Sequence, residues 1–291
     1  MYSEKFIKFI EMWQKEFAIE RTINEKICID RDGNPIPWYT YPAIEYLSQF
    51  DVTDKDVFEF GCGNSSLFWA DRARLVTSIE DNPDWFAKWQ KSFNRPNLDI
   101  RWRDEGEGYY NAIFEDGKKY DIIVVDGKRR ADCTRTALKA LNQGGIIILD
   151  DSDRINTSKE YADAVASLKN GNLIQVDFYG FCPMNVYTKT TSVFLSRDFN
   201  FQSLYSVQPI NGFGNLWSMS RKDRKGNYHT FWHFVRNVPP CARFRIPAFL
   251  LPADCHSPDF RRPLTQIFIC LSDNLPGLEN MLLCLLIHSL L

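Results

Sequence analysis

Residues 57–70 read VFEFGCGNSSLFWA. An apolar run breaks into two glycines two apart, turns polar, and resumes an apolar, helix-compatible pattern. That is a buried strand, a tight turn and a helix start. A chain carrying it is committed to strand–helix layers, with the turn placed to receive a nucleotide. Gly61 and Gly63 have the spacing of the dinucleotide fingerprint, but Ser66 stands where its third glycine belongs. Gly-x-Gly turns are common, so the neighbouring residues decide which nucleotide fits.

Strand-like and helix-like segments alternate from residue 52 to about 197. DVFEF (56–60), LVTSIE (75–80), LDIRW (98–102), YDIIVVD (120–126) and GGIIILD (144–150) are each followed by a helical pattern. Pro83 is well placed in the first turn of the second helix, and a helix is expected around Tyr109–Phe114. Two further strands, NLIQVDF (172–178) and TTSVFLS (190–196), have no long helix between them. The runs IIVV and IIIL suit central strands covered on both faces. These features give an open, doubly wound, Rossmann-like α/β sheet with helices on both faces, closed by an antiparallel edge strand. Ligands of such sheets lie beyond the carboxyl ends of the strands, at the switch point.

The flanks differ from this centre. Phe6, Ile10, Trp13 and Phe17 recur at helical spacing, which predicts an amphipathic N-terminal helix docked on the domain. Beyond residue 200, prolines crowd from Pro239 to Pro276, and RKDRKG (221–226) reads as a linker. The expected division is a helical cap over 1–50, a nucleotide-binding domain over 51–200 and an irregular, poorly ordered extension over 201–291. His229 and His233, followed by Cys241 and Cys255, have the flavour of a zinc site. Their irregular spacing among prolines makes coincidence the better account.

A formal net charge of -2 gives no electrostatic pull toward nucleic acid or an anionic membrane. No apolar run reaches the roughly 20 residues of a membrane span. The nearest, MLLCLLIHSLL at the end, is short and holds His288. Eight cysteines without a CxxC pair read as the reduced thiols of a cytoplasmic protein.

Glu59 lies inside the first strand, two residues before Gly61. A carboxylate there repels a pyrophosphate at the adjacent helix start and suits a ligand with positive charge and no phosphate. S-adenosylmethionine is such a ligand. The plainer alternative makes Glu59 an edge or capping residue, against which stand the apolar residues on both sides of it. Glu80, about 20 residues past the turn, is placed to bind ribose hydroxyls in either kind of nucleotide site. Asp104 or Glu105, after the third strand, would reach an adenine amino group or simply belong to a charged loop.

The motifs EFGCGNSS, SIEDNP, YDIIVVDG and GGIIILDDSD, in this order and spacing, resemble those of class I S-adenosylmethionine-dependent methyltransferases. PWYTYPAIEYL (37–47) and GFCPMNVYTKTTSVFLSR (180–197) are similar to segments of a small bacterial group within that superfamily. The resemblance covers about residues 35–200 and implies a seven-stranded sheet whose last strand is antiparallel. It implies that Glu59, Gly61 and Gly63, with Asn64 and Ser65 at the helix start, hold the methionine end and that Glu80 holds the ribose.

Asp126, Asp150 and Asp151 come at the carboxyl ends of the fourth and fifth strands, which are neighbours in such a sheet. Three oxygen donors suit magnesium. The set is similar to that of metal-dependent catechol-type O-methyltransferases, with Asp151 at the amide position. An aspartate after the fourth strand also occurs across the superfamily without a metal, and Asp151 can serve as a helix cap. Lys128 would act as a base if burial lowered its pKa, or would hold an anionic substrate. With Arg129, Arg130 and Arg135 it forms a basic run that is either a solvated helix start or an anion site. Trp38, Tyr39 and Tyr41, and then Phe178, Tyr179, Phe181, Asn185 and Tyr187 before the last strand, would line a small-molecule acceptor pocket, or be core.

The expectation is methyl transfer to a small molecule at oxygen, with Asp126, Lys128 and Asp150 as catalytic candidates. An NAD(P)-dependent oxidoreductase is disfavoured by Glu59, Ser66 and the absence of histidine before residue 229. A non-catalytic S-adenosylmethionine-binding protein is the third reading. Oligomeric state is not legible.

Overall fold

A computed structural model describes residues 2–210 and 212–214, and the backbone of 221–222 and 228–229. The strands are β1 (Asp56–Phe60), β2 (Leu75–Glu80), β3 (Leu98–Trp102), β4 (Tyr120–Val125), β5 (Leu141–Leu149), β6 (Ile174–Phe181) and β7 (Thr188–Leu195). They form one sheet in the order β3-β2-β1-β4-β5-β7-β6. β1 to β5 are parallel, and β7 is antiparallel to both β5 and β6. The fold is therefore the Rossmann-like doubly wound sheet of seven strands with its last strand antiparallel. One expectation is corrected. The antiparallel strand is not at the edge: β7 inserts between β5 and β6, and β6 is the edge. The burial explains this, since Val193 and Phe194 of β7 are wholly buried while β6 alternates between exposed and half-buried.

Strand alternation divides the core into two layers. Val57, Val76, Ile122, Val124, Ile146, Ile148 and Val193 face one side. Phe58, Phe60, Ile79, Ile123, Val125, Ile147, Leu149 and Phe194 face the other. This double coverage is why IIVV and IIIL are unbroken.

The second layer is roofed by α6 (Glu107–Asn111), α7 (Arg130–Ala140) and α8 (Lys159–Asn170). A 3-10 turn at Ala112–Phe114 completes the helix expected near Tyr109. The first layer is covered by α3 (Tyr41–Leu47), α4 (Asn64–Ala70) and the end of α1 (Glu4–Glu16), with their flanking segments, while α2 (Ile19–Glu25) contributes no side chain to it. α5 (Pro83–Gln90) has Pro83 in its first turn, and its cap, Asn82 Oδ1, accepts the Trp85 N–H at 3.0 Å.

Residues 28–47 share the sheet's own core, so the N-terminal part is built into the domain. Arg72 fixes the end of α3, donating to the carbonyls of Ser48 and Phe50 at 3.0 and 3.1 Å. Thr40 donates its N–H to Thr191 Oγ1 at 3.0 Å and its hydroxyl to the Phe178 carbonyl at 2.9 Å. α1 docks only through its end. Trp13 and Phe17 pack with Tyr41, whereas Phe6 and Ile10 remain exposed.

After β7 the chain stays on this body: Phe199, Phe201 and Phe213 pack against the first layer. Arg221–Lys222, at the start of the stretch read as a linker, pairs antiparallel with Tyr228–His229 beyond it. The rest of the 201–291 extension, with His233, Cys241 and Cys255, lies outside the described residues. Cys28, Cys62, Cys133 and Cys182 are unpaired thiols. Among the described residues, no helix is long and apolar enough to cross a membrane.

Candidate functional site

The parallel strands put their carboxyl ends on one edge of the sheet. In lateral order the exits are Asp104 after β3, Glu80 at the end of β2, the glycine turn after β1, Asp126 after β4 and Asp150 after β5. The strand order reverses between β1 and β4, where a crevice is expected. Backbones come very close there. A Cβ on Gly127 would meet the Tyr109 hydroxyl at 2.0 Å and Gly61 N at 3.1 Å. Gly61 has φ +105, and its Cβ would approach the Asp126 carbonyl to 3.3 Å. Both glycines are demanded by this contact. Gly63 differs: nothing lies within 4 Å of its Cβ position.

The turn is wired by the protein itself. Gly61 N–H donates to the Ile79 carbonyl at 2.7 Å. Cys62 N–H donates to Glu80 Oε2 at 3.1 Å, and Gly63 N–H to Ser66 Oγ at 3.2 Å. The Cys62 carbonyl accepts the Trp85 indole N–H at 2.7 Å. Asn64 donates its side-chain amide to the Cys28 carbonyl, tying the N-terminal segment to the turn. Glu80 also accepts the Asn82 N–H at 2.9 Å, so it braces the turn from the end of β2.

Glu59 is 1% exposed and lies beneath this turn. Its Oε2 accepts the hydroxyls of Ser66 and, at 2.9 Å, Ser78. Its Oε1 is buried with no hydrogen-bond partner among the described residues. Burial pushes the carboxyl up to about 7, against the pull of the Ser65, Ser66 and Ser78 hydroxyls. The serine at the fingerprint's third glycine position is thus a clamp on Glu59. Ser78 was not singled out from sequence. The signal was its register, since Ser78 pairs directly with Glu59 across β1 and β2.

Asp126, Asp150 and Asp151 do converge, with ligand oxygens within 4.8 Å of one another. Each is already held by a cation or hydroxyl of the chain. Asp150 is 1% exposed, with one oxygen on Lys189 Nζ and the other accepting Thr191 Oγ1 at 2.6 Å. Asp151 lies 3.2 Å from Lys189 and 3.1 Å from Arg154. Arg130 lies 3.0 Å from Asp126 and 3.6 Å from Asp151, and donates to the Gly127 carbonyl at 3.1 Å. Burial and the neighbouring Asp150 raise the Asp126 carboxyl. The donor set therefore does not fit a dedicated magnesium site, because its charges are met from within.

Backbone strain marks the same place. Arg129 and Asp151, the residues around the two strand exits, adopt left-handed φ of 53 and 56. The strained Arg129 turns Arg130 inward under Tyr161, 4.8 Å from ring centre to guanidinium carbon.

This dismantles the expected basic patch. Arg130 is buried, while Arg129 and Arg135 both pair with Asp132. Lys128 is exposed, not buried. Asp104 and Glu105 are exposed in the loop after β3, not held against the turn. Tyr39 and Tyr41 are buried in the core. β6 continues past the expected end at Phe178 to take in Tyr179 and Phe181. Trp38, Phe181 and Tyr187 remain exposed, and Asn185 is half-buried.

A raised acid pKa has a definite stability signature. The folded state holds the Glu59 proton more tightly than the unfolded chain, whose ordinary value is 4.5. Stability therefore falls as pH rises from that value through about 7 and then levels, at a full cost on the order of 3 kcal/mol. Glu59→Gln cannot ionise. Its melting temperature is expected to exceed that of the parent at about pH 8 and approach it at about pH 5. Parallel profiles in thermal denaturation would contradict the assignment.

No family model and no curated protein matches this chain. Solved structures do. The Precorrin-6y C5,15-methyltransferase of Geobacter metallireducens GS-15 is similar at 15% identity, over 53% of this chain and 86% of that one, with a TM-score of 0.42. The N-methyltransferase NodS of Bradyrhizobium japonicum WM9 is similar at 14% identity, over 63% and 98%, with a TM-score of 0.38. The fibrillarin pre-rRNA processing protein of Methanococcus jannaschii is similar at 17% identity, over 55% and 76%, with a TM-score of 0.41. In its own sheet, with seven strands and an antiparallel last strand, this chain has the fold that its resemblance to class I S-adenosylmethionine-dependent methyltransferases implies.

Proposed function

We propose that this chain transfers the methyl group of S-adenosylmethionine to an oxygen of a small-molecule acceptor. One observation carries the reading. The N–H groups of Gly61, Cys62 and Gly63 are all spent inside the protein, and a buried carboxylate with an unpartnered oxygen lies under the same turn. A pyrophosphate needs those amides and the absence of that charge. A cationic nucleoside needs the reverse. S-adenosylmethionine, when bound, supplies an electrophilic methyl on a sulfonium. Glu80, with one oxygen on the turn at Cys62 and the other on the Asn82 N–H, is the group for its ribose hydroxyls, and Gly63 leaves open space beside the turn.

The residues at β4 and β5 bear on the acceptor. Asp126 keeps 25% of its side chain exposed, against 1% for Asp150 and 12% for Asp151. It is the member of the trio that an acceptor reaches. Its raised pKa brings it toward neutrality, where a carboxylate is an effective base for an acidic hydroxyl. Asp126 would take the proton of the acceptor hydroxyl and leave its oxygen as the nucleophile for a bound methyl donor. Asp150 is enclosed and works by holding its neighbours. Lys128 remains an exposed group for an anionic acceptor two residues past Asp126, and Arg129 would have to leave Asp132 to join it.

Calorimetric titration of the full chain tests the ligand. S-adenosylhomocysteine is expected to bind and NAD is not. NAD binding by the folded protein, without adenosylhomocysteine binding, would overturn the proposal. A panel of alcohols and phenols, followed by adenosylhomocysteine release, then tests the base. Asp126→Asn is expected to lose roughly 10²–10⁴ in turnover with its adenosylhomocysteine affinity kept. Loss of affinity with unchanged turnover would assign Asp126 elsewhere.

A further inference from the structure

Three carboxylates within 4.8 Å are the donor type and number that a hard dication takes. Here a lysine stands among them. Lys189 is 6% exposed, on the first turn-side residues of β7, which runs against β5 and so begins at the carboxyl end of the parallel strands. Strand alternation puts Lys189 and Thr191 on one face, and both bond Asp150. Lys189 also lies 3.2 Å from Asp151, and the Trp38 ring closes over it at 5.9 Å. The formal charge of the group is zero, with Lys189, Arg130 and Arg154 against Asp126, Asp150 and Asp151. A dication entering it would face a buried ammonium at bonding distance from the same oxygens, and that repulsion is strong where water is scarce.

We propose that Lys189 is a built-in replacement for a divalent cation. Its ammonium holds Asp150 and Asp151, and the Asp151–Arg130–Asp126 contacts carry that hold to the exposed carboxylate on the acceptor side. Lys189 is thus a positioning residue. The reaction it serves rests on the proposed transferase function, but its substitution for a metal rests on the geometry alone. Two consequences follow. The parent protein has no use for a divalent ion at this place. Removing the ammonium leaves three carboxylates against two guanidinium groups, a net negative cluster with the ligand type that a dication takes.

Mn2+ is titrated calorimetrically into the full-length parent, Lys189→Ala and Lys189→Gln, with melting temperatures measured with and without the ion. The parent is expected not to bind, and Lys189→Ala to bind about tenfold or more tightly than the parent, with Mn2+ raising the melting temperature of the variant alone. Folding of Lys189→Ala only in the presence of Mn2+ also supports the proposal. If Lys189→Ala folds under neither condition, Lys189→Gln, which keeps a neutral hydrogen-bonding side chain, decides by the same comparison. Mn2+ binding to the parent at these carboxylates, or folded variants that bind no better than the parent, would overturn it. Adenosylhomocysteine titrated into the same samples separates the two readings. If it fails to bind the parent, the transferase proposal falls and the metal result stands by itself.

Discussion

A carboxylate buried inside an apolar strand is the constraint around which this molecule is arranged. Ionised Glu59 in such a place is expensive unless it is hydrogen-bonded or paired. The chain satisfies half of it: two serines, one from α4 and one from β2, hold Oε2, and Oε1 is left without a partner. The same serine that bonds Glu59 accepts the Gly63 N–H, so the acid and the glycine turn above it are one hydrogen-bonded unit. Glu80 and Trp85 complete that unit from β2 and α5. A turn so fully engaged offers few donors to an anion and a deficit of positive charge beneath it.

The two ends of the strand-exit edge are electrostatic opposites in this sense. At β1 and β2 a carboxylate lacks a cation. At β4 and β5 three carboxylates each have one. The first end has a carboxylate oxygen with no counter-charge beside it among the described residues, and the second has a cation for each carboxylate. The N-terminal segment joins them: Asn64 bonds Cys28, Thr40 bonds Thr191, and Thr191 bonds Asp150. Residues 28–47 are for that reason part of the site's scaffold as well as of the core.

Strand positions were legible because each apolar run has one period and one pair of flanking breakers, and β1, β2 and β3 fall on the expected residues. The motif order was legible too, because each motif sits at a strand exit. Lateral placement was not. Nothing local in NLIQVDF or TTSVFLS states which of the two lies inside; only the greater burial of Val193 and Phe194 does, and that is a property of the packed sheet. Long-range charge pairing was equally hidden. Asp150 is 39 residues from Lys189, and Asp126 pairs with an arginine whose inward turn depends on a left-handed Arg129. A basic run read along the chain therefore left a solvated helix start and an anion site both open, and three aspartates left a metal site open beside a plain helix cap. The role of Ser66 was half legible: its presence argued against a dinucleotide, but its bond to Glu59 needed the placement of α4 over β1.

The most direct test of this account is the proton balance of ligand binding. Calorimetric titrations with S-adenosylmethionine in buffers of different ionisation enthalpy measure protons exchanged per site. With Glu59 held near 7 in the free protein, a cationic ligand at its unpartnered oxygen should drive out a proton. The account predicts release approaching one proton at about pH 6, falling toward zero at about pH 8, and no such dependence in Glu59→Gln. Binding without proton release at about pH 6, or a release that survives in Glu59→Gln, would contradict it.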